Sequence, residues 1–194
     1  MKPAGASESD AVLATRAVKG DRAAFNAFMQ RHQQALYRFI RHYVGDADEA
    51  YDLVQETFVS AWQALGRYDP SRPAPTWLRR IALNKCRDWG RRRAVRRFFY
   101  SAVDLDTAKA AALAAPGDIV DEPALSRLDR ALASLPTQLK EPLLLTAFEG
   151  LSHHDAGKAL GISAKAVETR VYRARKLLGE AMNIDASETG GSEP

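Results

Sequence analysis

The chain has one cysteine among its 194 residues, Cys86, so no disulfide can close within it and no cysteine pair or Cys/His cluster can hold zinc. A lone cysteine also fits a reducing compartment. No apolar run approaches the ~18 residues that a membrane-spanning helix needs. The opening MKPAGASESD lacks the apolar core of a signal peptide. A soluble, cytoplasmic protein without membrane insertion is expected. Val, Ile and Thr never alternate over a run long enough for a sheet. No nucleophile, metal-ligand or cofactor constellation stands out, so nothing points to an enzyme or to a cofactor. Excess charge is small as well: 28 Lys and Arg against 24 Asp and Glu leave +4, so the distribution of charge matters more than its sum.

What the chain does have is helical period almost throughout, and it is most informative from Leu151 to Leu178. LSHHDAGKALGISAKAVETRVYRARKLL reads as two helices joined by a tight turn at Leu160-Gly161-Ile162, with Ser163 as N-cap of the second. At 100° per residue, Val167, Val171, Ala174 and Leu178 fall within roughly 60° of one another and form a buried stripe. Lys165, Thr169, Tyr172 and Lys176 lie on roughly the opposite side, with Glu168 and Arg173 flanking. A short helix, a glycine turn and a helix with a polar, basic outer face is the plan of a helix-turn-helix, whose second helix enters the DNA major groove. The plainer alternative is a helical hairpin with a solvated face.

The chain divides into two helical blocks, 11–97 and 124–182. Residues 1–10 and 183–194, rich in Ser, Gly, Ala, Glu and Pro, read as disordered ends. Residues 98–123 read as a linker, with Pro116-Gly117, Pro123 and a net charge of −4, although Ala108–Ala115 could form a short helix. In the first block a helix is predicted from Ala11 to Lys19. A second runs from Asp21 to about Tyr43, with Phe25, Phe28, Leu36, Phe39 and Ile40 as core candidates. A third, opened by Asp46 and Glu49 at capping-box spacing, runs to about Leu65. Its core stripe is Ala50, Val54, Phe58, Ala61 and Leu65. Asp52, Glu56, Val59 and Gln63 fall on the other side. Carboxylates one turn apart could be a catalytic pair, a solvated surface or a docking face for a basic partner, but no nucleophile or metal partner supports the first.

The stretch Gly66–Pro75 contains three prolines and reads as a stiff, non-helical loop. A fourth helix is predicted to open at Thr76. From Arg79 to Arg97 it carries nine positive residues against Asp88, a net of +8. Arg79, Arg80, Arg87 and Arg91 project within roughly 120° of one another, and Trp77, Leu78, Ile81, Ala82 and Trp89 take the other side. Such a stripe suits a nucleic-acid backbone with unstacked bases nearby, because this density of positive charge repels itself unless an anion relieves it. Trp77 and Trp89 are assigned to the core.

Two segments then carry a resemblance. YDLVQETFVSAWQALGRYDPSRPAPTWLRRIALNKCRDWGRRR and SLPTQLKEPLLLTAFEGLSHHDAGKALGISAKAVETRVYRARKLL, in this order and spacing, resemble bacterial RNA polymerase sigma factors of the extracytoplasmic-function (ECF) class. The resemblance implies an all-α chain with an N-terminal helical bundle and a C-terminal helix-turn-helix joined by a linker. It implies a protein that binds core RNA polymerase and promoter DNA, is controlled by an anti-sigma factor, and is monomeric when free. Asp52, Gln55 and Glu56 would then dock on the β′ clamp helices. The loop with Arg67, Tyr68 and Arg72 would receive a flipped base of the −10 element, an extraction that costs a few kcal/mol and so needs a prepared pocket. Arg79, Arg80, Asn84, Arg87, Arg91 and Arg92 would hold the strand around it, the Asn84 amide both donating to and accepting from a base edge. Lys165, Glu168, Thr169, Tyr172 and Arg173 would read the −35 element, with Arg170, Arg175 and Lys176 nearer the backbone. Pro136–Phe148 would lie beneath the reader helix and help bind the β flap.

The chain departs from the family pattern at Ala156-Gly157, where glycine is expected to loosen the helix by about 1 kcal/mol relative to alanine. His153-His154 point about 100° apart and cannot chelate like an i, i+4 pair, so no metal is expected there. A sigma mimic that binds only an anti-sigma protein should have lost the basic residues of both readers, and they are present. A simple helix-turn-helix repressor would leave the first block without a task.

Overall fold

The structure, a computed structural model, describes residues 8–103 and 123–189. Among the described residues all regular structure is helical. The elements are α1 (Asp10–Val18), α2 (Arg22–Val44), α3 (Ala47–Ala64), a 3-10 turn at Leu65–Arg67, α4 (Ala74–Val103), α5 (Pro123–Ser134), α6 (Thr137–Leu143), a π-helical turn at Leu144–Phe148, α7 (His153–Leu160) and α8 (Ala164–Thr189). The all-α expectation holds. Residues 104–122, which include most of the expected linker and the Ala108–Ala115 patch, lie outside the described residues, as do 1–7 and 190–194.

The chain forms two compact units. One comprises Met1–Ile40 and Tyr51–Gly90, the other Arg41–Ala50 and Arg91–Pro194. This differs from the division into 11–97 and 124–182, because residues 41–50 find their partners in the second unit. The buried Asp129 carboxylate accepts from Arg41 Nε at 2.9 Å and lies 2.6 Å from His42 Nδ1. Burial pushes its pKa up, but the bonds from His42 and Arg41 outweigh that and hold it below the usual aspartate value. Lys140, also buried, donates to the carbonyls of Tyr43 (3.0 Å) and Ala133 (2.6 Å).

In the first unit, α1 starts inside the segment expected to be disordered. Ser9 accepts from Val12 N and caps it, and Glu8 pairs with Arg16 at 2.6 Å. Asp21 caps α2 through Ala24 N at 3.0 Å. The core is the one the periodicity implied: Phe25, Phe28, Leu36, Phe39 and Ile40 of α2 are buried, as are Val54, Phe58, Ala61 and Leu65. Leu53, Leu78, Ala82, Leu83 and Cys86 complete it. Two boundaries of α4 differ from expectation. It opens at Ala74 rather than Thr76 and takes Pro75 into its first turn, where the missing N–H has no helical partner to lose. It also continues to Val103, through six residues assigned to the linker.

In the second unit, α5, α6 and α7 pack on α8 around Leu132, Leu135, Leu143, Leu144, Leu145, Ala156, Val167, Val171 and Ala174. Helix α8 runs to Thr189, past the expected end at 182. Ser152 caps α7 by accepting from Asp155 N at 3.1 Å, and its hydroxyl donates to Asp155 Oδ2 at 2.6 Å. Ser163 opens α8 as expected, accepting from Ala166 N at 3.1 Å. Between them Gly161 is left-handed (φ 70°), and Ile162 N donates back to Gly157 O at 3.0 Å.

That turn reverses the reading of Gly157. A Cβ there would fall 2.7 Å from the Ile162 carbonyl oxygen and 3.4 Å from Ala164 N, both backbone atoms. Glycine is what lets α7 close against the start of α8. Gly157→Ala should therefore lower the stability of the C-terminal unit by roughly 1–3 kcal/mol, overriding the ~1 kcal/mol propensity gain. Gly179→Ala in α8, where an added Cβ meets nothing within 4 Å, should raise it by up to ~1 kcal/mol. Denaturant unfolding followed by circular dichroism checks both signs; a neutral Gly157→Ala would refute the close-approach argument.

Candidate nucleic-acid interface

The loop ahead of α4 is pinned at several points. Tyr68 N donates to Leu65 O (3.0 Å), Arg72 N to Asp69 O (3.0 Å) and Thr76 N to Pro73 O (3.1 Å). Asp69 Oδ1 accepts from both Ser71 N (3.0 Å) and Ser71 Oγ (2.7 Å), and Asp69 Oδ2 pairs with Arg72 Nε at 3.3 Å. The Ser71 bonds, hydroxyl first, hold the Asp69 carboxyl below its usual range. Tyr68 is only 8% exposed. Its hydroxyl donates to Arg72 O at 2.8 Å and its ring lies 4.9 Å from that of Trp77. Tyr68 thus braces the loop from inside, while Arg67 and Arg72 are exposed on it. Trp89 is buried, as expected, but Trp77 is half-exposed against the loop.

On α4, Arg80, Asn84, Arg91 and Arg92 are exposed, and Arg79 and Arg87 half-buried. Of the four arginines that the periodicity placed on one stripe, Arg80 and Arg91 face outward and Arg79 and Arg87 are half-buried. On α3, Asp52 and Gln55 are exposed and Glu56 half-buried, 3.6 Å from Lys85 Nζ of α4. The acidic face is therefore partly compensated from within its own unit, a pairing that sequence spacing could not reveal. Tyr51 (55% exposed) and Val59 (59% exposed) flank it. Tyr51, missed in the sequence, also lines a groove of about 420 Å³ with Gln30, Gln33, Gln34, Tyr37 and Val54. Its detectable signal was a large aromatic at a position of α3 that the core stripe does not use.

On α8, Val167, Val171 and Ala174 are buried and Leu178 half-buried. Lys165, Glu168, Thr169, Tyr172, Arg173, Arg175 and Lys176 are exposed and Arg170 is half-buried. Tyr172 is 71% exposed, an aromatic that packs into no core. Lys165 Nζ lies 2.9 Å from Glu168 Oε2, and that hydrogen bond holds the Glu168 carboxyl below its usual range. Thr169 Oγ1 donates to Lys165 O at 3.0 Å, which leaves its lone pairs outward. The face thus offers donors from Lys and Arg, acceptors from Glu168 and Thr169, and an apolar ring from Tyr172, the mixture that base edges require. His153 and His154 are exposed, and among the described residues no group of three or more His, Cys, Asp and Glu could hold a metal.

A helix-turn-helix with a basic outer face, in one chain with an arginine-rich helix that follows a pinned loop, is an arrangement suited to nucleic-acid contact. Residues 28–96 match Sigma-70 region 2 and residues 125–178 match Sigma-70, region 4. The chain is 39% identical over 185 residues to the RNA polymerase sigma factor CnrH of Cupriavidus metallidurans, covering 92% of this chain and 97% of that one. It is 32% identical over 177 residues to the ECF RNA polymerase sigma factor SigE of Mycolicibacterium smegmatis, covering 89% of this chain and 68% of that one. The solved CnrH, in complex with the cytosolic domain of CnrY, superposes with a TM-score of 0.66 at 36% identity, covering 92% of this chain and 99% of that one. RpoE of Bartonella quintana, in complex with the anti-sigma factor NepR, gives 0.63 at 25% identity, covering 81% and 98%. The chain belongs to the ECF class of RNA polymerase sigma factors. Membership makes it a transcription initiation factor that binds core RNA polymerase and promoter DNA. Among the described residues no helix is long and apolar enough to cross a membrane.

If the Tyr68 hydroxyl braces the loop, Tyr68→Phe should keep the ring contact with Trp77 and cost about 0.5–1.5 kcal/mol. Faster amide exchange should be confined to residues 65–76. Unchanged exchange there would show that Asp69 and the prolines hold the loop without it.

Proposed function

We propose that the first block, 11–97, docks on core polymerase and captures the −10 element, and that 124–182 reads the −35 element. The observation that carries this reading is the α8 face: seven of its eight candidate contact residues are exposed on a helix whose opposite stripe is buried. Lys165, Glu168, Thr169, Tyr172 and Arg173 meet base edges, and Arg170, Arg175 and Lys176 meet phosphates. In the first block the pinned loop supplies a prepared site for an unstacked base beside Arg67 and Arg72. Preparation matters because the energy of unpairing is recovered only if the receiving groups need no further ordering. Arg79, Arg80, Asn84, Arg87, Arg91 and Arg92 hold the strand.

Asp52, Gln55 and Glu56 dock on the β′ clamp helices, and Pro136–Phe148 contributes to the β-flap contact. The protein works in the cytoplasm and has no catalytic step of its own; bond formation stays in the polymerase. Control by an anti-sigma factor is supported by the complexes of the similar CnrH and RpoE.

Two measurements test this. An Asp52→Arg/Glu56→Arg double variant should lose at least about tenfold in affinity for core polymerase, ~1.4 kcal/mol. Binding of the variant to isolated −35 duplex should be unchanged. Retained core binding would move the docking face elsewhere. Arg173→Ala should cost about 1–3 kcal/mol on promoters with an intact −35 element and little on altered ones. Arg91→Ala should instead weaken all promoters alike and reduce the salt slope by about 1. Identical patterns for the two would mean that α8 does not read sequence.

A further inference from the structure

Helix α1 lies outside the matched region-2 segment, which begins at residue 28. At nine residues it is too short to persist as an isolated helix in water. Packing and a set of ion pairs hold it. Leu13, Ala14 and Ala17 are buried, and the helix packs against the turn at Leu65–Arg67. Arg16 reaches both Glu8 (2.6 Å) and Asp21 (2.7 Å). Asp10 is the tie to α2: Oδ1 lies 2.6 Å from Arg31 Nη1 and Oδ2 lies 3.0 Å from Nε2 of the buried His32. The His32 contact is close but not aligned as a hydrogen bond. Arg31 Nη2 donates to Glu8 O at 2.6 Å and fastens the lead-in.

The turn that α1 covers is the root of the loop described above. Leu65 O receives Tyr68 N at 3.0 Å, and Tyr68 in turn holds Arg72 O. The Tyr68 hydroxyl is pushed to higher pKa by burial, then by the negative charge of Asp10, then by that of Asp69.

We infer that α1 is a buttress of the base-receiving loop, and that Asp10 is a positioning residue for −10 capture, acting through Arg31 and the seating of α1 on Leu65–Arg67. This rests on the reading of residues 67–75 as the base-receiving loop. Asp10 touches no DNA. It sets where the turn sits, and a displacement of about 1 Å at a receiving site can cost orders of magnitude in the step it serves.

The test uses the full chain assembled with core RNA polymerase on a promoter fragment that it transcribes. 2-Aminopurine replaces successive non-template bases around −10, because its fluorescence rises when a base unstacks. The unaltered protein should show one extruded position. Asp10→Ala should reduce that signal about tenfold, and Asp10→Glu should restore part of it. Affinity for core polymerase and for isolated −35 duplex should stay unchanged. Arg16→Ala, which loosens α1 without touching Asp10, should lower the signal in the same direction. Tyr68→Ala tests the loop itself. If it leaves extrusion intact, the base-receiving loop is wrong and the buttress falls with it. If Tyr68→Ala abolishes extrusion and Asp10→Ala does not, the loop stands and the buttress is overturned. Loss of core affinity in step with extrusion for Asp10→Ala also overturns it, since α1 would then support the whole unit rather than the loop.

Discussion

The apolar seam of the first unit sets the direction of every functional side chain on it. Phe28, Phe39 and Ile40 of α2, Leu53, Val54 and Phe58 of α3, and Leu78, Ala82 and Cys86 of α4 are all buried. Each large apolar side chain moved out of water stabilises the fold by about 1.5–3 kcal/mol. An exposed or half-exposed ion pair such as Lys85–Glu56 contributes about 0–1 kcal/mol. The seam therefore wins any conflict over how a helix is rotated, and the charges go where it leaves them. A helix has only two sides, so Asp52 and Gln55 on α3 and Arg80 and Asn84 on α4 face outward because their neighbours face in.

The outward charges are arranged rather than merely solvated. Glu56 has Lys85, and Glu168 has Lys165. Both are pairs with substantial exposure, so separating them costs little compared with a charge-assisted bond to a phosphate or a base edge. Glu168 is thus held on α8 by Lys165 without being committed to it. The buried pairs behave differently. Asp129, between Arg41 and His42, sits where an uncompensated charge would be expensive, so breaking it by removing one partner should be felt throughout its unit.

Backbone geometry supplies the rest of the functional positioning. The left-handed Gly161 and the Ser163 cap fix the angle between α7 and α8, and Gly157 lets the two approach. In the first unit, Asp69 with Ser71 and Tyr68 with Arg72 close the loop into one conformation. Both devices remove conformational freedom before any partner arrives, so that ordering need not be drawn from the binding energy.

Much of this was legible in the sequence by itself. The 3.6-residue period assigned the stripes of α2, α3 and α8 and the exposed face of α8, and local spacing assigned the caps at Asp46 and Ser163, because those are properties of neighbours three or four positions apart. Helix ends were less legible: Ser9 and Asp10 are tied down by Arg16 and Arg31, and Pro75 fits a first turn that local rules had assigned to loop. Only the tertiary structure decided the contacts between residues far apart in the chain. It turned Tyr68 inward and made Gly157 a necessity rather than a weakness. It set Lys85 against Glu56, joined residues 41–50 to Asp129 and Lys140, and seated α1 on the turn before the loop. Periodicity says which side of a helix is buried; what it is buried against depends on the path of the whole chain.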